Sequence, residues 1–411
     1  MKNILYTLVG MMTFCAFTGC SPEVDDVFNM SASQRIEEAI ANDLSVLRGA
    51  ENGWVMQYYP SSTRTYGGYI LLLSFADDGT ARVSCDLFAK DKVATSQYEV
   101  KQSMGAMLTF DTYNEVFHFF SNPKHDWGWG ENGYGMEGDY EFSILECTPE
   151  KVVLQGKKTG NEMVMTPVPA GTSWEDYLAS VKTVAAEAYP AVYDVYMGSS
   201  LKYNITQKHH KFVLENADGS SRDLPFAYTP HGIRFYEPVS IGTQKVQDMA
   251  WDKAQQAYTS GDIRFKAQQL PAGYYSYQDF VGSYVMVYGN DEQRDVTIEE
   301  EAFNESFLIK GFAYDIRLFY DAAMGTVTLS SQQLDGNIYL CAWSLGNEGK
   351  LTIASGAGMT GYMQKSTSGR SIIVFEDNGM WNYTTDSFVV FDIVNGESIF
   401  QIAYLQGLVK R

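Results

Sequence analysis

From residue 54 onward, short runs of alternating apolar and polar residues, or of apolar residues alone, recur along the chain with turn residues between them. Period-two patterning of this kind predicts strands with one buried face, and the close spacing predicts antiparallel hairpins. The first runs are 54–59, 69–75 and 81–88, the last two joined by the turn Asp77-Asp78-Gly79. Further strands are predicted at 96–102, 106–111, 116–120, 140–146, 152–157 and 162–167. Together they describe a meander or a small lipocalin-like barrel.

Two stretches follow a helical period instead. Ile36, Ile40, Leu44 and Leu47 share one helix face, with Ser31 or Ser33 as N-cap and Gly49 as terminator. Thr172-Ser173-Trp174-Glu175 opens a second helix that runs to about Ala188 and ends at Pro190. Strands then return at 201–206, 211–215, 233–237 and 248–252, and Leu270-Pro271-Ala272-Gly273 reads as a linker. Beyond it, the runs 284–288, 296–300, 307–310, 315–320, 326–330, 338–343, 351–354, 371–375, 388–393 and 399–403 predict a second antiparallel unit, a barrel or a sandwich. No short repeat period suggests a solenoid or propeller. The expected fold is therefore mainly β: two antiparallel β domains with one N-terminal and one connecting helix. Residues 32–270 form the first, able to split near 190, and 271–411 the second.

The first thirty residues follow another logic. Lys2 precedes an apolar run over residues 4–17, the size of a signal-peptide core and too short to span a ~30 Å hydrocarbon layer. The run ends in Phe17-Thr18-Gly19-Cys20, which resembles the lipobox of bacterial lipoproteins, with Phe17 where Leu is usual. Residues 1–19 are expected to be removed, taking Cys15 with them, and Cys20 to carry the lipid, palmitate included. Residues 20–31 then form an acidic tether. In it Ser21, Glu23, Asp25 and Asp26 resemble the surface-export signal of Bacteroidota lipoproteins. The expected location is the outer membrane, lipid-anchored and facing the exterior.

Charge narrows the partners. A net charge of −20 disfavours nucleic acid and anionic lipid, both of which demand clustered Lys and Arg. Cys85, Cys147 and Cys341 fit no metal spacing and read as small core residues, although one disulfide of undetermined pairing is open to an exported chain. Aromatic residues reach 14%, enough to fill strands and leave some rings for a stacking surface.

Several phrases resemble one family. They are Asn52-Gly53-Trp54-Val55-Met56, Tyr58-Tyr59-Pro60, Gly67-Gly68-Tyr69, Leu108-Thr109-Phe110-Asp111-Thr112-Tyr113-Asn114 followed by His118, and Gly138-Asp139-Tyr140-Glu141-Phe142. Over roughly residues 30–270 the chain resembles Bacteroidota lipoproteins carrying the domain of unknown function numbered 4302. The resemblance assigns no active-site residues. It implies a companion of SusC/SusD-like outer-membrane uptake systems, which capture glycans or peptides.

Candidate chemistry is sparse. Gly356-Ala357-Gly358-Met359-Thr360-Gly361 has the dinucleotide-binding spacing, but no helix is predicted after it, so it reads as a loop. His118 on a predicted strand and His125-Asp126 in a loop would supply only two metal ligands, and His209-His210 falls at a hairpin tip, where it reads as solvated. Asp139 and Glu141 alternate along a predicted strand. That places both carboxylates on one face about 7 Å apart, as glycoside hydrolysis can use. With 50 acidic residues such pairs also arise by chance. The most suggestive segment is the glycine-rich loop containing His125, Asp126, Trp127, Trp129, Glu131, Asn132 and Tyr134. Its rings can stack on a sugar or peptide while its polar groups hydrogen-bond, or they can fold back and plug the barrel mouth. The expected function is ligand binding, glycan or peptide, or assistance to a SusC/SusD-like transporter, without catalysis, cofactor or metal. The alternatives are a surface hydrolase (glycosidase or peptidase) and an adhesive or structural lipoprotein.

Overall fold

The computed structural model describes residues 31–123, 130, 133–188, 192–215, 219–346, 349–366 and 369–411. The expected signal peptide, Cys20 and residues 21–30 of the expected tether lie outside the described residues. Within them the chain is mainly β, with 29 strands and four helices. The helices are α1 (Ala32–Gly49), α2 (Glu115–Ser121), α3 (Trp174–Glu187) and α4 (Tyr277–Phe280).

The strands close into three eight-stranded antiparallel barrels. The first runs in sequence order from Trp54–Tyr58 to Glu162–Pro167, and these two strands pair to seal it. The second runs from Val192–Met197 to Ile263–Ala267. Residues 32–270 thus contain two barrels, with α3 between them. The third begins at Gly282–Tyr288 and ends at Gly407–Lys410. Excursions from it build a separate five-stranded sheet that includes Ile338–Ser344 and Ser387–Asp392. Alternation gives each strand one buried face: in Ala94–Gln102, Ala94, Ser96, Tyr98 and Val100 face inward while Thr95, Gln97 and Glu99 face water. A closed barrel leaves no unpaired edge.

Two strands of the first barrel are buried on both faces. Met56, Tyr58, Leu71 and Leu73 point into its own core, while Val55, Tyr59, Ile70 and Leu72 join the core of the second barrel, together with Leu178 and Val181 of α3. That double burial explains the unbroken apolar run Tyr69-Ile70-Leu71-Leu72-Leu73, which needs no polar face.

Three sequence expectations are corrected. Residues 116–120 are helix α2, not a strand. Asn114 caps it by accepting hydrogen bonds from the Val116 and Phe117 amides at 3.1 and 3.3 Å, and short apolar runs are ambiguous without such a cap. The Gly356–Gly361 segment is not a loop throughout: Gly358–Lys365 is a barrel strand. Its glycines serve close packing, since a Cβ on Gly358 would lie 2.1 Å from the Leu329 carbonyl oxygen. The His209-His210 tip is docked rather than solvated. His210 Nδ1 donates to the Gly68 carbonyl at 2.5 Å, its ring lies against Tyr69 and Tyr228, and His209 pairs with Glu305 of the third barrel at 3.3 Å. Cys85 and Cys341 are buried, Cys147 is half-buried, and all three are free thiols.

This junction sets a pH dependence. Asp86, in the turn after strand Thr80–Cys85, is pushed up to about 7 by burial, whereas burial pulls His210 down to about 4. The Asp86 contribution to stability is full below its ordinary value of 3.8 and is lost as pH rises through about 7. The His210 contribution is full above 6.5 and is lost as pH falls through about 4. Between these limits the folded chain holds the Asp86 proton and the unfolded chain the His210 proton, so the two slopes cancel. Asp86→Asn should raise stability at pH 8 and uncover a decline on acidification of at most about 1.4 kcal/mol per pH unit. Urea unfolding from pH 4 to 8 measures it, and an unchanged slope in the variant would refute the assignment.

Candidate functional site

The first barrel presents a row of aromatic rings on its outside, and its construction begins inside. Val116, Phe117 and Phe120 of α2 are fully buried in the barrel core. Phe117 lies 4.3 Å from the Phe110 ring centroid, and Phe120 lies 5.0 Å from Tyr58. The cap residue Asn114 is itself buried and donates to Ser96 Oγ at 3.0 Å. With one face of α2 committed to the core, His118 falls on the other.

Tyr113 follows strand Ala106–Phe110 and Tyr140 precedes strand Glu141–Cys147, and these strands pair with Thr109 opposite Glu141. Their ends therefore bring the two tyrosines to either side of His118. The Tyr113 and His118 rings are 4.4 Å apart, and the His118 and Tyr140 rings are 5.5 Å apart and stacked within 13°. Tyr113 is 69% exposed and Tyr140 41%. Large rings left this open, in a row, are the kind of apolar patch that marks a binding surface. His118 Nδ1 lies 2.9 Å from the Asn114 carbonyl oxygen and 3.2 Å from the Asn114 amide, so the Asn114 backbone fixes the orientation of the ring.

The row bridges two hollows. One, about 370 Å³, lies between α2 and the third barrel, with Tyr113, His118, Glu115, Lys92 and Arg317 in its wall. The other, about 310 Å³, lies beside Tyr140, with Glu141, Lys157 and Lys158. Most charges there are already paired: Lys92 with Glu115 at 2.8 Å, Lys157 with Glu141 at 2.8 Å, and Arg317 with both Glu301 oxygens at 2.6 and 2.7 Å. The surface offers rings and hydrogen-bonding groups more than net charge.

Of the residues singled out from sequence, Tyr134 is 59% exposed; His125, Asp126, Trp127, Trp129, Glu131 and Asn132 lie outside the described residues. The residues flanking them are fixed against α2. The Gly133 amide donates to the Pro123 carbonyl at 3.1 Å, and Gly138 to Phe120 at 2.8 Å, while Met136 is buried in the barrel core. The carboxylate pair considered for hydrolysis is corrected. Asp139 precedes the strand, is only 2% exposed, and accepts from the Lys158 amide at 2.6 Å and the Thr159 hydroxyl at 2.5 Å. It holds a turn, and Glu141 is ion-paired. Sequence reasoning missed Tyr113 and Tyr140 as site residues. Among 28 tyrosines nothing local marks an exposed one.

A family model described as Domain of unknown function (DUF4302) matches residues 24–253, more than half of the 411-residue chain. The chain belongs to the DUF4302 family. A second model, also described as a domain of unknown function (DUF4987), matches residues 236–391. No curated protein matches the chain. Among solved structures, a variant of transferrin binding protein B (TbpB) from Haemophilus parasuis is 10% identical. That match covers 80% of this chain and 72% of that one, with a TM-score of 0.14. A mosquitocidal holotoxin is also 10% identical, over 88% of this chain, with a TM-score of 0.16, and the chain spans half the length of that toxin chain.

Of the phrases that resemble DUF4302 proteins, those at 52–60 and Gly138-Asp139 serve packing, while Tyr113, His118 and Tyr140 belong to the exposed ring row. Trp54 Nε1 donates to the Leu47 carbonyl at 2.8 Å, tying α1 to the barrel. Tyr58 Oη donates to the Asp139 carbonyl at 2.9 Å, and a Cβ on Gly138 would lie 2.5 Å from that hydroxyl. The DUF4302 match ends inside the second barrel, just after strand Gln244–Asp252. The ring row lies wholly within it.

Proposed function

We propose that this DUF4302 protein is a lipid-anchored surface protein that binds a glycan or peptide through the outer aromatic face of its first barrel, without catalysis. The observation that carries the reading is the Tyr113–His118–Tyr140 row, solvent-facing and set between two hollows. Rings in such a row stack on the apolar faces of sugars or on peptide side chains. A hydrolase is the weaker reading because Asp139 is committed to a turn and Glu141 to Lys157. The anchor rests on the leader and on Cys20. The SusC/SusD-like partner rests on the resemblance of the quoted phrases. Acyl attachment would hold the barrels at the outer membrane, where a binder could pass its ligand to a transporter.

The test is binding by calorimetry to a set of plant and host glycans and to casein peptides, with thermal unfolding run in parallel. Tyr113→Ala and Tyr140→Ala should each weaken binding about ten- to hundred-fold, roughly 1–3 kcal/mol, with melting nearly unchanged, because both rings face water. In cells, Cys20→Ser should lose fatty-acid label and membrane retention. Full affinity in the double tyrosine variant would remove the aromatic face from the proposal.

A further inference from the structure

A second groove lies elsewhere, between the first and second barrels. Strands Val152–Gly156, Glu162–Pro167 and Trp54–Tyr58 are consecutive neighbours in the first barrel, and Gly232–Ile241 pairs with Gln244–Asp252 in the second. Where their outer faces meet they enclose about 430 Å³, walled by Gln57, Gln155, Gln247, Tyr236, Glu162 and Glu237. Tyr59, buried, forms part of the floor, with its ring 4.8 Å from that of Tyr236.

The three glutamines are half-buried, and their amides are largely unspent. Gln155 gives its NH2 to the Gly160 carbonyl at 3.3 Å, and Gln247 gives its NH2 at 3.4 Å to the Phe235 and Tyr236 carbonyls, both long contacts. Among the described residues no hydrogen bond reaches the carbonyl oxygen of any of the three, and the Gln57 side chain makes none at all. A planar amide presents a donor and an acceptor side by side. Adjacent hydroxyls on a sugar ring present the matching pair, each able to give and accept. Three such amides around an aromatic wall fit a polyhydroxylated ligand better than a peptide, whose side chains vary in polarity.

Charge selects further. Arg234 lines the wall with both Asp248 oxygens holding its guanidinium at 2.7 and 2.5 Å, and the Arg64 guanidinium, bonded to Asn161 Oδ1 at 3.0 Å, lies 4.4 Å from the Tyr236 ring centroid. Glu162 and Glu237 remain as acceptors for hydroxyl groups, and they repel an anionic sugar, as does the net charge of −20. We infer that the groove between the first and second barrels is a binding site for a neutral oligosaccharide, read by the amides of Gln57, Gln155 and Gln247 against Tyr236. This site stands apart from the aromatic face and does not depend on it.

The full chain in detergent is titrated with cellohexaose, xylohexaose, mannohexaose and hexagalacturonate. At least one neutral hexasaccharide should bind, and hexagalacturonate should bind at least ten-fold more weakly. Gln57→Leu with Gln247→Leu should weaken the neutral sugar at least ten-fold. Gln247→Glu, of nearly the same size, should do likewise while melting stays at the parent value, which guards against misfolding in the double variant. The Tyr113→Ala, Tyr140→Ala variant should keep this binding. If sugar binding falls only in the tyrosine variant, the groove proposal fails and the aromatic-face reading stands. If it falls only in the glutamine variants, the groove holds whatever the fate of that reading. Binding of hexagalacturonate alone, or of none of the four, overturns the groove site.

Discussion

Gly67→Ala is expected to loosen the junction between the first and second barrels and to cost on the order of 3 kcal/mol, as a sum of two effects. Gly67 has φ +72°, a left-handed conformation that a Cβ disfavours by roughly 1–2 kcal/mol. The larger effect is contact: the added Cβ would lie 1.9 Å from the His210 carbonyl oxygen, a backbone atom that cannot swing aside. Gly67 and His210 form a parallel bridge, the Gly68 amide donates to the Phe226 carbonyl at 2.9 Å, and His210 Nδ1 donates to the Gly68 carbonyl. Pushing residues 67 and 210 apart breaks all three together. Gly171→Ala is the control, since Gly171 has φ +75° and nothing within 4 Å of its added Cβ. It should show the conformational cost alone. Calorimetric melting and limited proteolysis of the two variants decide the matter, and equal destabilisation would mean that the bridge contributes little.

Gly67 also shows where sequence reading stopped. Strand alternation, the Asp77-Asp78-Gly79 turn, a cap at Ser31 or Ser33 and the opening of a helix at Thr172–Glu175 were all legible, because each is set by residues within a few positions of one another. Barrel closure stayed open against a meander or a sandwich, because it rests on the pairing of the first strand with the last, more than a hundred residues away. What was not legible depends on distant partners. Gly67-Gly68 looks like any turn until His210 is placed against it. His209-His210 looks like a solvated tip until the Tyr69 and Tyr228 rings surround it. Gly356, Gly358 and Gly361 match a nucleotide fingerprint in spacing and read as a loop until the Leu329 carbonyl is found lying over Gly358. Residues 32–270 read most simply as one β-rich region because strand spacing is the same on both sides of α3. The candidate site divides in the same way. Asn114 could have been recognised as a cap, which would have turned 116–120 into a helix and put His118 on its outer face. The pairing of Tyr113 with Tyr140 could not, because it rests on the register between two strands some thirty residues apart.

That register and helix α2 together seat the aromatic face, so removing the buried anchor of α2 should damage the face from within. Phe117 is fully buried, with ring centroids at 4.3 Å from Phe110 and 5.8 Å from both Tyr58 and Phe142. Phe117→Ala is expected to cost about 3–5 kcal/mol, the usual range for emptying a packed aromatic site. A helix of seven residues has little stability of its own, so α2 depends on this packing and on the Asn114 cap. Loosening it releases His118 from between Tyr113 and Tyr140. Affinity for any ligand of the face should therefore fall in Phe117→Ala although Phe117 does not reach the surface. Phe117→Leu refills most of the volume and should cost less than about 2 kcal/mol while leaving affinity near the parent value. The measurements are chemical unfolding and ligand titration at a temperature where every variant remains folded. If Phe117→Ala melts earlier yet binds with unchanged affinity, the two strand ends alone hold the face, and α2 only fills the barrel.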